Sequence, residues 1–174
     1  LGAGALGYPA AQRTYKALEF TVGRPLANNW SADLSYTWSE SLGNHEGYVK
    51  SDNGQDDAGI TTNFDQPGLT DNSYGSLPNS RAHTLKAFGS YELSNGLRLG
   101  ANLMFQSGRP ISCFGVHPSD DFAVDYGAAS HFCGGKSVRR GSLGETPVMR
   151  NIDLSAQYNL EVGNTDVLLT LDIF

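Results

Sequence analysis

Between Trp30 and Ser39 the chain alternates without a break. Trp30, Ala32, Leu34, Tyr36 and Trp38 are apolar or aromatic, while Ser31, Asp33, Ser35, Thr37 and Ser39 are small and polar or charged. In an extended strand successive side chains point to opposite faces. The run therefore predicts a strand with one greasy face and one wet face, and its period of two excludes an amphipathic helix.

Five other stretches repeat the pattern. Tyr15 to Arg24 sets Leu18, Phe20 and Val22 against Ala17, Glu19 and Thr21. His83 to Leu93 sets Leu85, Ala87, Tyr91 and Leu93 against Thr84, Lys86, Ser90 and Glu92. Leu97 to Gln106 sets Leu97, Leu99, Ala101, Leu103 and Phe105 against Arg98, Gly100, Asn102 and Gln106. Asn151 to Leu160 sets Ile152, Leu154, Ala156, Tyr158 and Leu160 against Asp153, Ser155, Gln157 and Asn159. Asp166 to Phe174 sets Val167, Leu169, Leu171 and Ile173 against Thr170 and Asp172. The Trp30 strand is expected to continue to about Ser41.

The connections alternate in kind. Pro25 to Asn29, Ser94-Asn95-Gly96 and Glu161 to Thr165 are short, and Asn-Gly is a strong hairpin signal. The second and third strands, and the fourth and fifth, are separated by loops of about 40 residues, which are rare in compact soluble domains. Short turns on one side and long loops on the other are the habit of bacterial outer-membrane barrels. The long loops are thus expected outside the cell and the tight turns in the periplasm. Trp30 and Trp38 would be roughly 26 Å apart along a strand, or about 20 Å of membrane depth at the usual tilt. That spacing suits two interfacial aromatic girdles.

The expected fold is all-β: antiparallel up-and-down strands forming about a six-strand segment of a transmembrane β-barrel, with two long extracellular loops. By parity, Leu18, Phe20, Trp30, Leu34, Tyr36, Trp38, Leu99, Leu103, Phe105, Leu154 and Tyr158 should face lipid. Glu19, Asp33, Lys86, Arg98, Asn102, Asp153 and Gln157 should face the lumen. A hydrophobic fraction of 39 % and a mean hydropathy of -0.33 fit a barrel, because half of each strand meets water. No apolar run approaches the roughly 18 residues of a transmembrane helix. The net charge of -6 argues against a nucleic-acid partner. The opening LGAGALGYPAAQ has no basic region of the signal-peptide kind, and the pattern is still running at Phe174, so residues 1–174 read as a piece cut at both ends. Six strands cannot close a barrel, since the smallest common ones have about eight.

Several segments, in this order and spacing, resemble TonB-dependent outer-membrane receptors of the Oar-like subgroup. They are Tyr15-Lys16-Ala17-Leu18-Glu19, Leu34 to Ser39, Gly75 to His83, Ser107-Gly108-Arg109-Pro110-Ile111 and the closing Leu171-Asp172-Ile173-Phe174. The resemblance covers most of the chain from about Tyr15 onward. Ser80 and Ala82 depart from a pattern in which an acidic residue is often followed by two basic ones. The resemblance implies the C-terminal part of a 22-stranded barrel, with the plug domain, TonB box and final strand outside these residues. It also implies energy-coupled uptake or export in the outer membrane of a Gram-negative bacterium. The implied partners are outer-membrane lipid and lipopolysaccharide, the TonB complex through absent N-terminal regions, and an unidentified extracellular ligand. Rival readings are a passive porin or adhesion-type barrel, and a secreted β-sandwich carbohydrate-binding module with both Trp buried.

Other constellations fall in the long loops. Cys113 and Cys133 are expected to form a disulfide, which would close a loop of about 20 residues and stabilise it by roughly 3 kcal/mol in the chain-entropy model. With His117 and His131 they could instead form a Cys2His2 zinc site, or stay as thiols. Glu46, Asp52, Asp56, Asp57, Asp65 and Asp71 face only Lys50 in the first loop. Asp52 to Asp57 offers oxygens that suit calcium, against the plainer reading of a solvated acidic loop. Lys136, Arg139 and Arg140 offer cations to lipopolysaccharide phosphates or an anionic ligand, against a plain solvated turn. No GxSxG or HExxH pattern occurs, and no enzyme activity, cofactor or metal is expected. Glu19 and Asp33 read as channel wall rather than an acid/base pair.

Overall fold

The computed structural model describes residues 7–55, 57–94 and 96–174. Among these are nine strands: β1 (Arg13–Ala27), β2 (Trp30–Gly43), β3 (Gly75–Ser76), β4 (His83–Glu92), β5 (Leu97–Gln106), β6 (Phe132–Cys133), β7 (Lys136–Ser137), β8 (Met149–Val162) and β9 (Thr165–Ile173). The six long ones form one antiparallel sheet in the order β1-β2-β4-β5-β8-β9, with β3 on the end of β2. The expected fold class is what the chain adopts: an all-β, antiparallel, up-and-down sheet that is open at β1 and β9. The six predicted strands occur within three residues of their expected bounds. The two-residue strands β3, β6 and β7 are too short to show a period.

Two of the three short turns are tighter than expected. β1 runs through Pro25 to Ala27, and the connection is Asn28-Asn29 alone, with φ of 52° and 70°. Two successive left-handed residues make the hairpin turn whose twist matches the strands, and Asn tolerates that region better than most residues. Pro25 lacks an N–H, which an outermost strand of the sheet tolerates. The β8–β9 connection shrinks likewise to Gly163-Asn164, with Gly163 at φ 64°. In the β4–β5 turn Gly96 sits at φ 81°, while Asn95, singled out with it, lies outside the described residues.

The chain divides into two compact units. The sheet unit comprises residues 17–38, 82–107 and 148–174. Residues directly opposite each other in an antiparallel pair share a face, so the register assigns faces across the strands. One row runs Trp30, Tyr91, Leu99, Ala156, Leu171; the next runs Ala32, Gly89, Ala101, Leu154, Ile173. The opposite face carries Ser31, Ser90, Gly100, Ser155, Asp172 and, beside it, Asp33, Phe88, Asn102, Asp153. Among the described residues the buried apolar side chains are Leu69, Leu77, Ala123, Ala129 and Phe132, and the sheet unit contributes none of them. Trp30 and Trp38 are 39 % and 42 % exposed. The sandwich reading needed a second sheet enclosing both indoles. The second sheet among the described residues is the two-stranded β6-β7.

The loop unit comprises residues 39–81 and 108–147 with the described part of 1–16. It has a core of its own in Leu69, Ala123 and Ala129, with Leu77 fully buried. Three 3-10 turns shape it, at Ser51–Asn53, Pro67–Thr70 and Ala123–Tyr126. The last is capped by Asp120, whose Oδ1 accepts from the backbone N–H of Phe122 and Ala123 at 3.0 and 2.8 Å.

Candidate functional site

The two faces of the sheet unit carry the residues assigned by parity. Trp30, Leu34, Tyr36, Trp38, Leu99, Leu103, Phe105, Leu154 and Tyr158 share the apolar face. Arg24 stacks its guanidinium 4.0 Å above the Trp30 ring, which puts the even positions of β1, among them Leu18 and Phe20, on that same face. Tyr36 joins its hydroxyl to His83 Nδ1 at 2.8 Å there, which pairs these two polar atoms on the apolar face. Asp33, Lys86, Arg98, Asn102, Asp153 and Gln157 share the other face. Gly23 of β1 lies beside Asp33: a Cβ on it would stand 2.7 Å from Asp33 Oδ1, so Glu19 and the other odd β1 positions belong on that side. Polar groups pair across the strands. Asn102 donates to Asp153 at 2.9 Å, Ser31 and Ser90 share a 2.8 Å bond, and Arg98 pairs with Glu92. Phe88 and Met104 interrupt this face with apolar side chains.

In the loop unit charge has gone inside. Arg140 is 1 % exposed, and its guanidinium meets Asp52 Oδ2 at 2.8 Å and Glu46 Oε1 at 3.1 Å. Glu46 Oε2 also accepts from the Ser51 hydroxyl at 2.6 Å, and the Glu46 carbonyl accepts from Arg13 at 2.7 Å. Lys50, 2 % exposed, donates to the Ala129 carbonyl at 3.2 Å and stands 4.8 Å over the Phe114 ring. Burial pulls the Lys50 ammonium below its usual pKa, with Asp52 opposing. Burial pushes the Asp52 carboxyl above its usual value, with Arg140 opposing. Two acids, Glu46 and Asp52, thus balance two cations inside, while Asp57, Asp65 and Asp71 stay exposed as a solvated loop requires. Asp52 is spent on Arg140, and Asp56 of the proposed calcium run lies outside the described residues. Arg140, offered with Lys136 and Arg139 as a surface cation, is the buried partner instead; the other two are exposed.

Cys113 and Cys133 are bonded to each other, with Cα atoms 5.6 Å apart. The two histidines near them have separate roles. His117 Nδ1 accepts from the N–H of Asp120 at 2.8 Å, which leaves the proton on Nε2 to donate to Asp71 at 3.2 Å. His131 packs its ring 4.8 Å from that of Phe114; burial first, then the positive charges of Arg140 and Lys50, push its pKa down to about 3. Among the described residues no group of three or more His, Cys, Asp or Glu side chains is placed to hold a metal ion.

A family model described as "Outer membrane beta barrel domain" matches residues 2–112. Among characterised proteins, the TonB-dependent transporter Oar of Myxococcus xanthus is 33 % identical over 183 residues, covering 99 % of this chain. The chain spans 16 % of the length of that relative. No solved structure matches.

Replacing Arg140 by Met should leave Glu46 and Asp52 buried without their cation and cost about 3–5 kcal/mol. Hydrogen exchange across residues 39–81 should read this as lost protection, while Arg139→Gln, at an exposed position, should leave it unchanged. His131 supplies a pH test. Its folded pKa of about 3 lies below the ordinary 6.5, so between these values the unfolded state binds the extra proton. Stability of the loop unit from this group is full above about 6.5 and is lost as pH falls toward about 3. Asp52, with its pKa raised, works in the opposite sense. The slope of proteolytic stability attributable to His131 should therefore be isolated by His131→Phe, which should resist acid better than the parent chain.

Proposed function

The chain belongs to the outer membrane beta barrel domain family, and from that premise we propose that it forms part of the barrel of a TonB-dependent transporter, a protein that moves a substrate across the outer membrane with energy delivered through the TonB complex. The observation that carries this reading is the sheet unit's pair of opposed, continuous faces with no core of its own. The apolar face of Leu18, Phe20, Leu34, Leu103 and Leu154 meets hydrocarbon, with Trp30 and Trp38 toward the two interfaces. The face of Glu19, Asp33, Lys86, Asn102 and Asp153 lines an aqueous interior. The open ladders on β1 and β9 would each leave backbone groups unpaired in lipid at several kcal/mol apiece, so further strands continue the barrel on both sides. Residues 44–82 and 107–148 lie on the cell surface, where an oxidising environment keeps the Cys113–Cys133 bond formed. Likeness to a transporter supports transport rather than catalysis as the role.

Lys introduced at position 34 or 35 in the full-length protein tests the sidedness. Leu34→Lys should lower barrel stability in vesicles by roughly 2–4 kcal/mol, and Ser35→Lys by much less. Equal costs would contradict the assignment of faces. Energy coupling is tested in cells: substrate movement should stop when TonB is deleted, with the barrel still present in the outer membrane. Undiminished movement would indicate a passive pore.

A further inference from the structure

The loop unit contains a cavity of about 480 Å³, within the usual range of small-molecule sites. Gln12, Asn44, Thr70, Asn72, Ser73, Tyr74 and Arg139 supply its polar lining. Arg139 is the charged group in that lining, which includes no carboxylate although the whole chain carries a net charge of -6. The nearest acid along the chain, Asp71, is engaged by His117.

The walls are fixed and the functional groups are spare. Asn44 is 4 % exposed and holds the two edges together, accepting from the Gln12 N–H at 2.8 Å and donating to the Ala10 carbonyl at 2.8 Å. Asn72, in the left-handed region at φ 59°, accepts from the Ser137 hydroxyl at 2.7 Å with Oδ1, which leaves its Nδ2 hydrogens free. Arg139 donates from Nε to the Tyr74 carbonyl at 3.2 Å, which orients the guanidinium and leaves both terminal nitrogens without a protein partner among the described residues. Tyr74 keeps 43 % of its surface exposed. The Gln12 side-chain amide also has no hydrogen-bond partner among the described residues.

We propose that this cavity binds an acidic sugar, a pyranose bearing a carboxylate or phosphate. The guanidinium fork matches the two oxygens of such an anion, the amides of Gln12 and Asn72 match ring hydroxyls, and the Tyr74 ring offers an apolar surface to the sugar's C–H face. One cation among amides suits a polar ligand with a single acidic group. An apolar ligand would leave those amides and the guanidinium unpaired. The inference rests on the loops being at the cell surface, where two sources share this chemistry: sugar acids free in the medium and acidic sugars of lipopolysaccharide.

The test uses the full-length protein in detergent micelles, titrated with glucuronate, glucose and purified lipopolysaccharide. Glucuronate should bind saturably and glucose at least about tenfold more weakly. Arg139→Gln should weaken glucuronate by about tenfold or more. Lys136→Gln, which removes a cation outside the cavity, should change nothing. Gln12→Ala, which removes a side chain that holds nothing among the described residues, should also weaken binding and so separates ligand contact from damage to the fold. Competition by lipopolysaccharide would identify the membrane's own sugars as the source, and its absence a free sugar acid. No saturable glucuronate binding up to about 10 mM, equal affinity for glucose, or indifference to both Arg139→Gln and Gln12→Ala would overturn the proposal. If binding is absent while TonB-dependent transport persists, only this site fails. If binding is present without energy-coupled transport, only the transporter reading fails.

Discussion

Everything in the proposed barrel wall depends on a single layer having to satisfy two solvents. A water-soluble sheet buries at least one face against another layer. This one has no such layer: Leu18 and Phe20 are each 59 % exposed and Leu171 is 63 % exposed, all on side chains worth about 1.5–3 kcal/mol each when removed from water. In the proposed barrel, lipid on that face would remove the penalty. The same lipid against Asp33, Asn102 or Asp153 would impose a larger one, so the proposal keeps the other face wet. Register is therefore decisive. A slip of one residue in any strand would put its whole polar set into hydrocarbon, and the two-residue turns at Asn28-Asn29 and Gly163-Asn164 leave little slack for one.

The loop unit solves a different problem. Its apolar core is small, and much of what is buried is charged. A buried ion pair costs desolvation that its Coulomb attraction only partly returns, so the cluster of Glu46, Lys50, Asp52 and Arg140 is better understood as a device for specificity than as a source of stability. Glu46 and Asp52 come from one long loop and Arg140 from the other, so pairing these charges requires both loops in one arrangement. The Cys113–Cys133 link constrains the second loop further, which favours one arrangement over many.

What could be read from the sequence follows the same division. The strands were legible because a period of two needs no knowledge of distant residues: each of the six carries its own evidence, and the boundary of Leu97–Gln106 coincides with the observed strand. The loop unit was not legible, because its determinants are remote. Arg140 meets Asp52 and Glu46 across 88 and 94 positions, and nothing near Asp52 indicates that its charge will be met from the other loop. Arg139 and Arg140 are adjacent and chemically identical. In a strand their opposite fates would follow from parity. In irregular backbone there is no period to assign them, and Lys136, Arg139 and Arg140 read as one exposed group. Asp52 was likewise judged by the composition of its run when burial of its carboxylate decided its role.

Those adjacent arginines also show how a costly buried charge can serve a surface one. The Arg140 backbone N–H donates to the Asn72 carbonyl at 3.0 Å, and Gly75 packs so tightly on the Arg140 carbonyl that no Cβ would fit. With its guanidinium locked by Glu46 and Asp52 and its backbone held against residues 72–75, Arg140 fixes the chain from both sides. Arg139 then has one path outward, alongside Tyr74, whose carbonyl it engages. A flexible surface arginine loses side-chain entropy each time it orders around a ligand. One whose neighbour is immobilised in this way has already lost part of it during folding. The buried cluster therefore does more than hold two loops together, since it presets the direction of the cation that the cavity presents.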